Sequence, residues 1–109
     1  MAARNSECAY FSCFGASSAE TMAHEIGHAL GLGHAGPYNG SATYGADNIY
    51  SNDSWAASVM SYFDQTDAGT GTFAFVMTPQ LADILAIEDL YGLSTTTRIL
   101  DTTYGFNAD

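Results

Sequence analysis

His24-Glu25-Ile26-Gly27-His28-Ala29-Leu30-Gly31-Leu32-Gly33-His34, the stretch HEIGHALGLGH, holds every histidine of a 109-residue chain. On a helix, residues four apart lie about 40° apart around the axis, so His24 and His28 project side by side. Met22, Ile26, Ala29 and Leu30 fall at helical spacing on nearly the opposite face. A packed core histidine belongs with that apolar stripe, and these two are off it. H-E-x-x-H alone recurs by accident in unrelated helices; the residues after it decide the reading. Gly31 lets the chain leave the helix, because glycine accepts the left-handed conformation. His34 then returns as a third ligand. Three imidazoles bind zinc with one position open, the arrangement of catalytic sites; structural sites more often recruit four ligands including cysteine. Glu25 points around the helix from its neighbouring ligand, which suits a carboxylate that works on a zinc-bound water as general base without binding the metal.

Outward from this stretch, Ser17-Ser18-Ala19-Glu20 reads as a capping box, with Ser17 as N-cap and Glu20 at N3. The first helix is expected over about 18–31. Positions 35–58 carry Gly, Asn, Ser, Asp and Tyr without a period, and a loop of that length is uncommon unless it builds a site. SVMSYF follows at 58–63, and 72–77 is a candidate extended segment. Thr78-Pro79 reads as N-cap and first position of a second helix over 79–91. Leu81, Ile84, Leu85, Ile87 and Tyr91 form its apolar face, Asp83, Glu88 and Asp89 its wet side, and Gly92 its end. Residues 1–16 show no period, and the Thr-rich tail 96–109 reads as a linker.

Composition narrows the partners. Two Lys and Arg stand against 12 Asp and Glu, a formal net charge of -10. Such a surface repels phosphate backbones and anionic lipid, which argues against nucleic acid and membrane as partners. No run reaches the roughly 18 apolar residues of a membrane span. Asn5, Ser6 and Glu7 interrupt any signal-peptide core at the N-terminus. With 47% hydrophobic and 13% charged residues, the chain reads as one globular domain. Cys8 and Cys13 fit either a single disulfide or two free thiols, and make no framework.

HEIGHALGLGH matches H-E-x-x-H-x-x-G-x-x-H, the signature of the metzincin metalloproteases. Met60 in SVMSYF sits where their methionine turn is expected. Tyr62, together with HAGPYNG, LADILAIEDLYG and TTYGFN, makes the chain resemble serralysin-type zinc endopeptidases from about Thr21 onward. Matrixins have a proline close behind the methionine; astacins usually have a histidine where Ser61 stands. The resemblance implies His24, His28 and His34 as zinc ligands and Glu25 as general base. It also implies Tyr62 as a catalytic residue that stabilises the oxyanion, and Met60 as a structural floor. The implied fold is an α+β metzincin catalytic domain, truncated here mostly to two helices joined by long loops. Residues 17–95 would be the partial catalytic core, and 96–109 would lead towards a calcium-binding β-roll. Calcium belongs to the full-length family member; Leu100 stands where a glycine is usual, and no calcium site is assigned. The implied function is hydrolysis of peptide bonds in extended peptide or protein substrates, by a secreted monomer. The alternative is a zinc-binding chain without catalysis, because serralysins place a substrate-binding sheet ahead of this helix and only 23 residues precede His24.

Overall fold

The computed structural model describes the backbone of residues 2–96, and side chains at residue 15 and from 17 to 96. Two helices frame the chain: α1, Ala2–Ala29, and α2, Leu81–Tyr91. Helix α1 runs back through the stretch in which no period is read, over a segment free of proline and rich in alanine. Ser17 therefore sits inside the helix and is no N-cap; its carbonyl accepts the Thr21 hydroxyl at 3.0 Å. The C-terminal end falls as expected. Gly31 takes φ 99°, and the Leu32 N–H turns back to the Gly27 carbonyl at 3.0 Å.

Helix α2 begins two residues later than its sequence suggests. Gln80 is extended, with φ -100° and ψ 179°, so Thr78 and Pro79 lie outside the helix and Gln80 is the N-cap. Asp83 accepts the Gln80 N–H at 2.7 Å, closing the first turn. Gly92 ends the helix as expected, its N–H bonded to the Glu88 carbonyl at 2.8 Å.

Between the helices, residues 35–80 form turns held by side chains. Among the described residues there is no strand, only an isolated bridge between Asn39 and Ser41. The α+β expectation is thus met in its helices alone, and 72–77 pairs with no ladder. In place of a sheet, the Gln65 amide bonds both the carbonyl and the N–H of Ala74, at 3.0 and 3.2 Å. The Trp55 N–H reaches the Phe63 carbonyl at 2.9 Å, and its indole N–H the Ser61 carbonyl at 2.9 Å.

Tyr38, Val59, Met60 and Phe63 are the buried hydrophobic residues, surrounded by buried Asp53, Ser54, Ser58, Ser61, Gln65 and Asp83. Asp83, expected on the wet side of α2, is 3% exposed. Conversely, Met22, Ile26, Leu30, Leu81, Ile84, Leu85 and Tyr91 are exposed. The core thus forms on the histidine side of α1, where the loop packs, and the apolar stripes of both helices stay bare apart from a half-buried Ile87 among the described residues. Among the described residues, no helix is long and apolar enough to cross a membrane. The side chains of Cys8 and Cys13, and the tail with Leu100, lie outside the described residues.

Candidate metal centre

Helix α1 presents His24 and His28 one turn apart, and the turn at Gly31 brings His34 to them. The Nε2 of His34 lies 3.3 Å from that of His24 and 3.0 Å from that of His28. Each ring is anchored through its other nitrogen. His24 Nδ1 is 2.9 Å from the Val59 carbonyl, His28 Nδ1 2.9 Å from the Leu32 carbonyl, and His34 Nδ1 2.8 Å from the Tyr38 carbonyl. A carbonyl can only accept, so each Nδ1 is the donor to it, and a ring with a single proton turns the lone pair of its Nε2 toward the other two. That arrangement suits a shared metal cation.

The donor set fits zinc. Bonds of about 2.0–2.1 Å in a tetrahedral site put neighbouring ligand nitrogens about 3.3 Å apart. Carbonyl acceptors behind each imidazole are the usual second-layer support of such ligands. Among the described residues, these three histidines are the cluster whose donor atoms converge within 4.8 Å.

Met60, 2% exposed, lies under the ligand helix. A Cβ on Gly27 would collide with the Met60 thioether sulfur, so glycine between the two histidines is what admits the methionine. Tyr62 is half-buried, its ring 4.5 Å from that of His34 and 5.9 Å from that of His24 between centroids. Its hydroxyl accepts the Gly40 N–H at 3.2 Å. Glu25 is exposed and lines a cavity of about 480 Å³ together with His24, Trp55, Ser61 and Tyr62. The three histidines converge, with Met60 beneath their helix and the Tyr62 ring beside them, while Glu25 shares with His24 and Tyr62 the wall of the adjoining cavity.

Three contributors escape a reading of spacing alone. Tyr38 stacks on His34, with centroids 5.6 Å apart and rings tilted by 22°, and gives it the carbonyl acceptor. The Tyr38 hydroxyl lies 3.1 Å from both oxygens of buried Asp53 and donates to that carboxylate. Asp83 accepts the Ser58 hydroxyl at 2.6 Å and the Val59 N–H at 2.9 Å, holding the residue whose carbonyl orients His24. Glu20 is the third. It is 9% exposed, lies one turn before His24 on the same face, and lines the cavity. Burial pushes its carboxyl above the ordinary value. Its spacing to His24 and His28 was the available signal, hidden by the capping-box reading.

The sequence profile of the Met-zincin family matches residues 12–91. The chain belongs to that family. This Met-zincin is similar to serralysins: it is 44% identical over 94 residues to serralysin C of Dickeya chrysanthemi, covering 83% of this chain and 19% of that protein. It is 43% identical over 98 residues to metallopeptidase AprA of Pseudomonas marginalis, with 83% and 20% covered. To serralysin of Photorhabdus luminescens it is 43% identical over 95 residues, again with 83% and 20% covered. The Met-zincin chain thus spans about a fifth of the length of the curated relatives it matches.

Proposed function

We propose that this Met-zincin is the metal-binding, C-terminal part of the catalytic domain of a secreted zinc endopeptidase acting on extended peptides or proteins. The observation that carries the proposal is the convergence of three histidine Nε2 atoms, each ring fixed from behind by a carbonyl. His24, His28 and His34 would hold a zinc ion, which would supply Lewis-acid polarisation of a substrate carbonyl and acidify a water. Glu25, exposed in the cavity and outside the ligand set, takes the proton from the attacking water and passes it to the departing amine. The Tyr62 hydroxyl, held by a single backbone N–H, turns from Gly40 to donate to the oxyanion. Met60 keeps the ligand helix at its height. Residues 17–95 act as the catalytic unit, within the α+β architecture of the complete domain.

A second reading, zinc binding without turnover, draws on one observation: no strand borders the cavity among the described residues. Peptide recognition by strand addition needs such an edge. Zinc-reconstituted protein assayed on an unfolded protein substrate separates the two. The endopeptidase reading expects cleavage that a chelator stops and zinc restores. Glu25→Gln is expected to keep the zinc and lose at least about a hundredfold in rate, as for loss of a general base. Full zinc occupancy with no cleavage supports the second reading, and undiminished cleavage by Glu25→Gln removes Glu25 from the mechanism.

A further inference from the structure

Among the described residues, Glu20 has no lysine or arginine to pair with. The residue is 9% exposed, and its hydrogen-bond donor among the described residues is the Thr21 hydroxyl at 3.4 Å. That hydroxyl has one proton and a better acceptor, the Ser17 carbonyl at 3.0 Å. No Lys or Arg occurs between residues 15 and 96. Glu20 also lies outside the group of atoms converging on the metal point. An unpaired carboxylate in such a place is costly unless a donor arrives from elsewhere.

The cavity it lines offers a second feature. Trp55 is part of the same wall, with its indole N–H fixed on the Ser61 carbonyl at 2.9 Å. Phe73 and Phe75 brace the indole, at centroid distances of 6.0 and 5.8 Å. A carboxylate and a braced indole in one cavity suit a planar cation, which pairs with the first and packs its flat face on the second.

We propose that Glu20 makes the cavity beside the metal centre a receptor for a cationic side chain of the substrate, arginine before lysine. The inference rests on the endopeptidase reading, since it places that side chain next to the scissile bond. Glu20 selects, and the bond-breaking groups are others. Arginine's fork meets the carboxylate through two parallel N–H bonds, whereas lysine offers a point charge.

The test reads binding without turnover, on zinc-loaded protein carrying Glu25→Gln. Two capped peptides are compared, identical except that one arginine is replaced by citrulline, which keeps the shape and removes the charge. Trp55, the only tryptophan, reports occupancy by its emission. The arginine peptide is expected to bind about tenfold tighter, the size of one charge-assisted hydrogen bond. Glu20→Gln is expected to bring the ratio to one. Asp89→Asn, which removes an equal charge from α2, is expected to leave it intact. Zinc stoichiometry verifies the fold of each variant. Equal or absent binding of the two peptides overturns the proposal even without the variants, as does a preference that survives in Glu20→Gln. Zinc-loaded wild-type protein that cuts nothing counts instead against the endopeptidase reading, so the two failures are separable.

Discussion

His34 is the ligand whose position depends most on its neighbours, because it sits beyond the helix that orders the other two. Its ring is stacked on Tyr38 and hydrogen-bonded to the Tyr38 carbonyl, and the Tyr38 hydroxyl in turn holds the buried Asp53 carboxylate. Tyr38→Phe keeps the ring but leaves Asp53 buried without that donor. A loss of about 1–3 kcal/mol in stability is expected, measured by denaturant unfolding, with zinc affinity falling about tenfold. Gly27→Ala drives a methyl into the Met60 sulfur and is expected to cost about 1–3 kcal/mol through overpacking. Trimming Met60 to alanine in that background removes the collision. If the double variant is no better than the sum of the single ones, the contact is not the cause. Of these residues, the three histidines and Glu25 stand out by motif and spacing, whereas Met60 and Tyr62 enter only through the resemblance. Tyr38 was not legible, because a tyrosine in an aperiodic loop carries no register that says which ring it will meet.

Helix α2 contributes to the site through its first turn, although it brings no ligand. Asp83 accepts from Ser58, Val59 and Gln80, and the Ala82 N–H bonds the Ala57 carbonyl at 3.0 Å. At its other end, the Tyr91 hydroxyl donates to the Leu30 carbonyl at 2.8 Å, joining α2 to the end of α1. The helix is therefore a strut between the methionine turn and the histidine helix. Asp83→Ala frees three buried or half-buried donors. It is expected to destabilise the fold by roughly 2–4 kcal/mol and to weaken zinc binding at least tenfold, read from thermal melts with and without zinc. Tyr91→Phe touches an exposed bond and is expected to cost under about 1 kcal/mol. The existence of both helices and their glycine ends was written in the sequence. Their starts were not. Ser17 and Thr78 have the chemistry of caps, but alanine-rich residues upstream extend α1, and an extended Gln80 delays α2. Asp83 misled for a related reason: amphipathic spacing sorts residues by polarity, and a carboxylate with three donors is buried despite it.

Taken whole, the molecule has a polar core and apolar outer stripes, with a net charge of -10 that favours expansion. Its interior is held largely by hydrogen bonds and by the histidine cluster, so metal binding is expected to be a large part of its folding free energy. Zinc at about a thousand times its dissociation constant adds roughly 4 kcal/mol to stability, and chelation removes it; a melting temperature indifferent to zinc would refute this. Substituting Ile26 or Leu85 by serine is expected to change stability by less than about 0.5 kcal/mol in this chain, because both are already exposed. The sequence spoke clearly about chemistry and less clearly about packing, since ligand spacing is local and burial depends on what covers each face. The most direct test is X-ray absorption at the zinc edge of the reconstituted protein. Three imidazole nitrogens and one further light atom at about 2.0–2.1 Å are expected, with one imidazole lost in His34→Ala. A sulfur neighbour at about 2.3 Å, or a shell unchanged by His34→Ala, would show that the metal is not held by His24, His28 and His34.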